Sequence, residues 1–213
     1  MAVLLDLDGT LIDTVPFILA TVRHAFEGRR RSPSDADWIA GIGTPLRIQL
    51  AEWVDGPDDL EGILARYRAY QREHHDRMTR AYPGAVEAVR RIHERGHRVA
   101  VVTGKLVEGA SRSLRYVGLE PFVDAVVGAD TCRRHKPDPE PVLAALQLVG
   151  GDPREALFVG DSALDVRAAN AAEVTSVAAL WGACTRGELL AASPRHVLDD
   201  VAELPGLVER LSP

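Results

Sequence analysis

Hydrophobic positions along the chain follow two regimes. Val3-Leu4-Leu5 is an unbroken apolar run of the kind a strand shows when both its faces are buried, and it stops at Asp6. From residue 15 to about residue 80 the apolar positions instead recur at helical spacing. Phe17, Ile18, Val22 and Ala25 mark one amphipathic segment, which breaks at Gly28 and a polar loop; a short segment covers 34–40 and another 46–54. After Gly56-Pro57, the residues Leu60, Ile63, Leu64, Tyr67 and Tyr70 trace a long helix ending near Met78. Beyond Tyr82-Pro83-Gly84, strand and helix alternate. The pattern predicts strands over 99–102, 123–127, 156–159 and 175–179, with a short one at 196–198. Helices are predicted at 86–95, 106–117, 138–149, 164–172 and 205–211. Asp138-Pro139 suits a helix start, with a capping carboxylate followed by proline in the first turn.

Repeated strand and helix predicts an α/β fold with a doubly wound parallel sheet. One strand followed by helices alone has no sheet to join, so the first strand belongs with the later block. Residues 1–14 and 81–213 then form the core, and 15–80 form an inserted α-helical domain. In such sheets a ligand sits beyond the carboxyl ends of the strands. Those ends carry Asp6, Thr103, Lys136 and Asp161.

Composition narrows the partners. A chain of 213 residues can hold one sizeable core with a smaller insertion. The formal charge of -6 argues against nucleic acid. No stretch approaches the roughly 20 apolar residues of a membrane span. Cys132 and Cys184 lack metal-ligand spacing and suit a reducing compartment, so a cytoplasmic protein is expected. Of the 25 basic residues only Lys105 and Lys136 are lysine. Under an arginine bias, a retained lysine marks a place where a compact ammonium serves better than a guanidinium fork, although two residues also fit chance.

Asp6 and Asp8 stand two apart at a strand end, and Asp161 and Asp165 follow another strand and open a helix. Together they form an oxygen-rich set that suits Mg²⁺. Thr103-Gly104-Lys105 precedes a helix whose free amides can hold an anion, and Lys136 adds positive charge. Metal, amides and ammonium describe a phosphate pocket. A carboxylate placed in line with phosphorus can attack it, and a second can carry the proton; Asp6 and Asp8 are the natural pair.

The segments DLDGTLIDT, VVTG, KPDPEP and GDSALD resemble, in order and separation, the four motifs of the haloacid dehalogenase superfamily. Within it the chain is similar to the phosphoglycolate phosphatase-like branch, whose helical cap is inserted after the first motif. The resemblance implies a Rossmann-like core and a phosphatase acting on a small phosphorylated metabolite. Asp6 would be the nucleophile, Asp8 the general acid and base, and Thr103 the phosphate-binding hydroxyl. Lys136 would steady nucleophile and phosphate. Metal ligands would be Asp6, the Asp8 backbone carbonyl and Asp161, with Asp165 in support. Gly104 departs from the asparagine of many relatives, leaving only its backbone amide to bind phosphate.

Asp8 argues against dehalogenation, and a cap without lysine argues against the phosphonatase branch. A sugar phosphate mutase of the beta-phosphoglucomutase type shares the four motifs, but loop 41–47 is more similar to that of the phosphatases. A non-catalytic phosphate-binding relative would be expected to lack one of the motif residues. In the cap, Arg47 is the candidate substrate contact, with solvation as the plainer role; His24 is a weaker candidate for reaching the cleft. His74 and His75 are expected on a solvated helical face, and the tryptophans as packing residues.

Overall fold

The computed structural model describes residues 1–212. Six parallel strands form one sheet: β1 (Ala2–Leu5), β2 (Arg98–Val102), β3 (Ala125–Val127), β4 (Ala156–Gly160), β5 (Thr175–Ala179) and β6 (His196–Leu198). Their spatial order is β3-β2-β1-β4-β5-β6. The chain builds outward from β1 in one direction and then from β4 in the other, so the strand order reverses between these two. That reversal opens a crevice at their carboxyl ends.

Side chains of β1 alternate between two apolar layers, as strand geometry requires. Val3 and Leu5 join Val99, Val101, Leu157 and Val159 against α5 (Ala85–Glu94), α6 (Val107–Tyr116) and α10 (Leu204–Leu211). Leu4 joins Ala100, Val102 and Phe158 against α7 (Glu140–Val149) and α8 (Ala163–Ala171) on the other face. Burial on both sides explains why β1 is apolar without alternation.

Between β1 and α5 lie four helices: α1 (Val15–Ala25), α2 (Asp35–Ala40), α3 (Leu46–Ala51) and α4 (Pro57–Met78). They share a separate apolar cluster containing Ile18, Val22, Trp38, Leu50, Leu64 and Tyr67. Two short crossings tie this block to the sheet: Asp13 N–H donates to Arg80 O at 2.8 Å, and Tyr82 N–H donates to Leu11 O at 3.0 Å. The chain therefore leaves and re-enters the core at one place.

Several elements differ from the sequence expectation. The helix expected from Asp138 begins at Glu140, because Asp138 accepts the Glu140 N–H at 2.9 Å in a turn just before it. The strand expected over 123–127 is three residues long, since a 3-10 turn at Glu120–Phe122 takes up the approach. Helix α9 (Arg186–Ala191) was not expected, although Thr185 and Glu188 form a reciprocal capping box at its start. Leu189 is its one buried side chain, so no apolar stripe marks it.

His75 is a correction of another kind. It is buried, its Nε2 lies 2.9 Å from Ser113 Oγ and its Nδ1 2.7 Å from Asp76 Oδ1. The face of α4 expected to meet solvent there packs on α6 instead, because the helix is long enough to reach back to the core. His74 stays on the outer side, stacked edge-on against Tyr70.

Leu4, fully buried at the centre of the sheet, offers a direct check on this packing. Leu4→Ala is expected to lower unfolding free energy by about 3 kcal/mol in urea titration. Ile48→Ala, at an exposed position, should change it by less than about 0.5 kcal/mol.

Candidate active site

Asp6 directly follows β1 and Asp161 directly follows β4, so pairing of these adjacent strands fixes their separation. Asp165 enters from the first turn of α8, where a capping box holds it. Ser162 N–H and Oγ–H both donate to Asp165 Oδ2, at 3.1 and 2.6 Å. Asp6, Asp161 and Asp165 each place a carboxylate oxygen within 4.8 Å of the others, and all three are buried.

One ammonium answers them. Lys136 Nζ donates to Asp6 Oδ1 at 2.9 Å, to Asp165 Oδ1 at 2.6 Å and to Val102 O at 3.3 Å. Burial opposes the charge on Lys136, but Asp165 and Asp6 outweigh it and hold the ammonium protonated. Burial in turn pushes the Asp6 carboxyl well above its ordinary range; Lys136 pulls it back, while Asp165 and Asp161 add to the rise. Burial, followed by the charge of Asp165, pushes Asp161 up to about 7. Three buried carboxylates facing one ammonium are short of positive charge. A divalent cation of the hard, oxygen-seeking kind would supply it, so the donor set fits such an ion.

Asp161 is held in a tight cradle. Its Oδ1 accepts from Thr10 Oγ–H at 2.9 Å and its Oδ2 from Ala183 N–H at 2.7 Å. A Cβ built on Gly9 would lie 2.1 Å from Asp161 Oδ2, and one on Gly182 would lie 2.2 Å from Asp161 Cβ. Gly9 also has φ +83°, so it alone makes the turn and clears the carboxylate. Trp181 closes the cradle by donating its indole N–H to Thr10 O at 2.9 Å.

Asp8 stands apart from this cluster. Its carboxylate accepts from the Thr14 hydroxyl and pairs with Lys105, whose ammonium reaches it from the loop after β2. Two aspartates a dipeptide apart thus meet two different lysines. Thr103 sits at the end of β2 with its Oγ accepting the Lys105 N–H at 3.2 Å. Gly104 lies under the helical block: a Cβ there would come within 2.7 Å of Gly43 O. The loop between α2 and α3 therefore seats directly on the residue that departs from the usual asparagine.

A cavity of about 920 Å³ lies between block and core, with Asp6, Asp8, Thr103, Gly104 and Lys105 on its wall. Arg47 also lines it, but its guanidinium pairs with Glu61. His24 stacks on Tyr70 at 4.7 Å between ring centroids, away from the cavity wall. Sequence reasoning missed Gly182, Ala183 and Ser162. The Ser162-x-x-Asp165 spacing was the available signal for the last, and the end of β5 for the other two.

The haloacid dehalogenase-like hydrolase family model matches residues 3–179, and the chain belongs to that family. It is an enzyme of the phosphatase class. Pyrophosphatase PpaX of Halalkalibacterium halodurans is 34% identical over 215 residues, covering 97% of this chain and 95% of that protein. Pyrophosphatase PpaX of Bacillus velezensis is 33% identical over 206 residues, covering 95% and 94%. Among solved structures, a hydrolase from Pseudomonas syringae has a TM-score of 0.87 and 26% identity, covering 100% of this chain and 99% of its own. A structure described as a predicted phosphoglycolate phosphatase from Haemophilus somnus also has a TM-score of 0.87. At 24% identity it speaks for the fold, over 97% of this chain and 96% of its own.

The cradle around Asp161 gives a test independent of turnover. Mg²⁺ is expected to raise the melting temperature of the wild type in differential scanning fluorimetry, and Gly182→Ala to lose at least half of that rise. Gly187→Ala, with open space around its Cα, should keep it.

Proposed function

We propose that the protein is a Mg²⁺-dependent phosphatase that hydrolyses a small phosphorylated substrate through an aspartyl-phosphate on Asp6. The observation that carries this reading is the division of labour among the carboxylates. Asp6 lies with Asp161, Asp165 and Lys136 in one buried cluster, while Asp8 faces the same cavity but bonds to Thr14 and Lys105.

In the first step an oxygen of Asp6 attacks phosphorus as the bond to the leaving oxygen breaks, and Asp8 gives that oxygen its proton. In the second, water attacks phosphorus while Asp8 takes a proton from it. Phosphate leaves and Asp6 is regenerated. Lys136 holds Asp6 in one orientation through both steps, and the Thr103 hydroxyl and Gly104 amide bind phosphoryl oxygens. Asp6, Asp161 and the Asp8 backbone carbonyl would hold Mg²⁺, with Asp165 in support. The ion supplies charge stabilisation to the phosphoryl oxygens when bound.

Helices α1–α4 act in this reading as a cap that closes over the cavity through the Gly43 and Gly104 contact and excludes bulk water. The relatives named as pyrophosphatases make pyrophosphate the first substrate to try, ahead of phosphoglycolate. Arg47 would contact substrate only after leaving Glu61.

Two measurements check the reading. Asp6→Asn should lower phosphate release by about 1,000-fold or more with Mg²⁺ present. EDTA should abolish wild-type release and added Mg²⁺ restore it. Substantial turnover by the variant, or indifference to EDTA, would contradict the mechanism.

A further inference from the structure

The chain's second lysine is not consumed by the phosphoryl machinery. Lys136 serves Asp6, the attacking group, whereas Lys105 is bonded to Asp8, the group that meets the leaving oxygen. In the mechanism proposed above, a cation beside Asp8 would stand on the leaving-group side of the transferred phosphoryl group. For a neutral alcohol leaving group it has little to act on. For a leaving group that carries its own negative charge, it lies where that charge accumulates as the bond breaks.

The cavity continues from Lys105 between α4 of the helical block and α6 of the core, and its wall there is cationic. Arg47, Arg112 and Arg115 on this wall are engaged by Glu61, Asp76 and Glu120. Arg68 and Arg72 are different. They stand one turn apart on α4, line the same cavity and, among the described residues, form an ion pair with no carboxylate. Glu61 feels Arg68 only at longer range, since Arg47 holds it directly. Glu108 and Asp130 are the other acids on the wall, and Asp130 is spent on the Val107 N–H.

An independent observation lies at the end of α4. Thr79 is 2% exposed and lines the cavity, and its Oγ1 is buried without a hydrogen-bond partner. Buried hydroxyls are rarely left so, because the lost hydration is not offset until a partner arrives. A polar ligand group in the cavity would be such a partner.

We propose that Lys105, Arg68 and Arg72, with the Thr79 hydroxyl, form a subsite for an anionic leaving group, so that the enzyme selects substrates carrying a second negative charge beyond the transferred phosphoryl group. This rests on the phosphatase reading above and extends it from the reaction to the substrate class, of which pyrophosphate is the simplest member. Lys105 is the near contact, and the two arginines bind the distal oxygens when the block closes.

The test compares kcat/KM for pyrophosphate with that for phenyl phosphate, whose leaving group has no added anionic group, in the presence of Mg²⁺. Wild type should prefer pyrophosphate. Lys105→Met and the double variant Arg68→Gln/Arg72→Gln should each lower the pyrophosphate to phenyl phosphate ratio at least tenfold. The double variant changes exposed positions, so a folding defect in Lys105→Met does not leave the question open. A ratio that stays within threefold of wild type in the double variant, or a wild type that favours phenyl phosphate, overturns the subsite and leaves the phosphatase reading intact. A wild type that releases phosphate from neither compound overturns both.

Discussion

Three carboxylates buried around a single ammonium are the constraint on which the rest of this structure depends. Taking charges out of water is expensive, and like charges within a few ångströms of one another add to the cost. The fold meets that cost with many fixed donors. Lys136 bridges Asp6 and Asp165, Thr10 and Ala183 donate to Asp161, and Ser162 donates twice to Asp165. Burial, with the neighbouring charge of Asp165, still pushes the Asp6 and Asp161 carboxyls above their ordinary range. A site built to be short of positive charge is ready for a cation and for the transfer of an anionic group.

The groups of the site come from segments that the sheet brings to one edge. Asp6 follows β1, Thr103 follows β2, Asp161 follows β4 and the Ala183 amide follows β5. Their separations are set by backbone pairing, which is stiff, while the helical block rests on the edge through close glycine contacts. Gly43 O approaches Gly104 so nearly that a side chain there would have to push it away. Rigid chemistry beneath a separately packed block is the arrangement that permits closure without disturbing the charges below.

Much of this was legible in the sequence because a buried acid leaves a mark there. Asp6 and Asp161 each interrupt an apolar run, and an acid in that setting stands out. The parallel sheet followed from alternation, and the helical block from its change of period. What could not be read depended on contacts between distant segments. Nothing local distinguishes Asp6 from Asp8 as partners of different lysines, because Lys105 and Lys136 lie far along the chain. His75 adjoins polar residues and reads as solvated, yet it packs on Ser113 of another helix. Gly104 reads as a lost side chain; its reason lies in Gly43, some sixty residues away in sequence and on another element. Asp138 had the right chemistry for a cap and performs it one turn position early, a shift that propensity alone does not resolve.

Of the four aspartates at the site, Asp6 is the one proposed to carry the phosphoryl group. An Asp8→Asn variant, slowed in releasing it, can be mixed with substrate and Mg²⁺, quenched in acid and treated with borohydride, which reduces an aspartyl-phosphate to homoserine. Peptide mass spectrometry should then find homoserine at position 6 and at no other aspartate. Homoserine at Asp161 or Asp165, or none at all in a variant that still releases phosphate, would contradict the account.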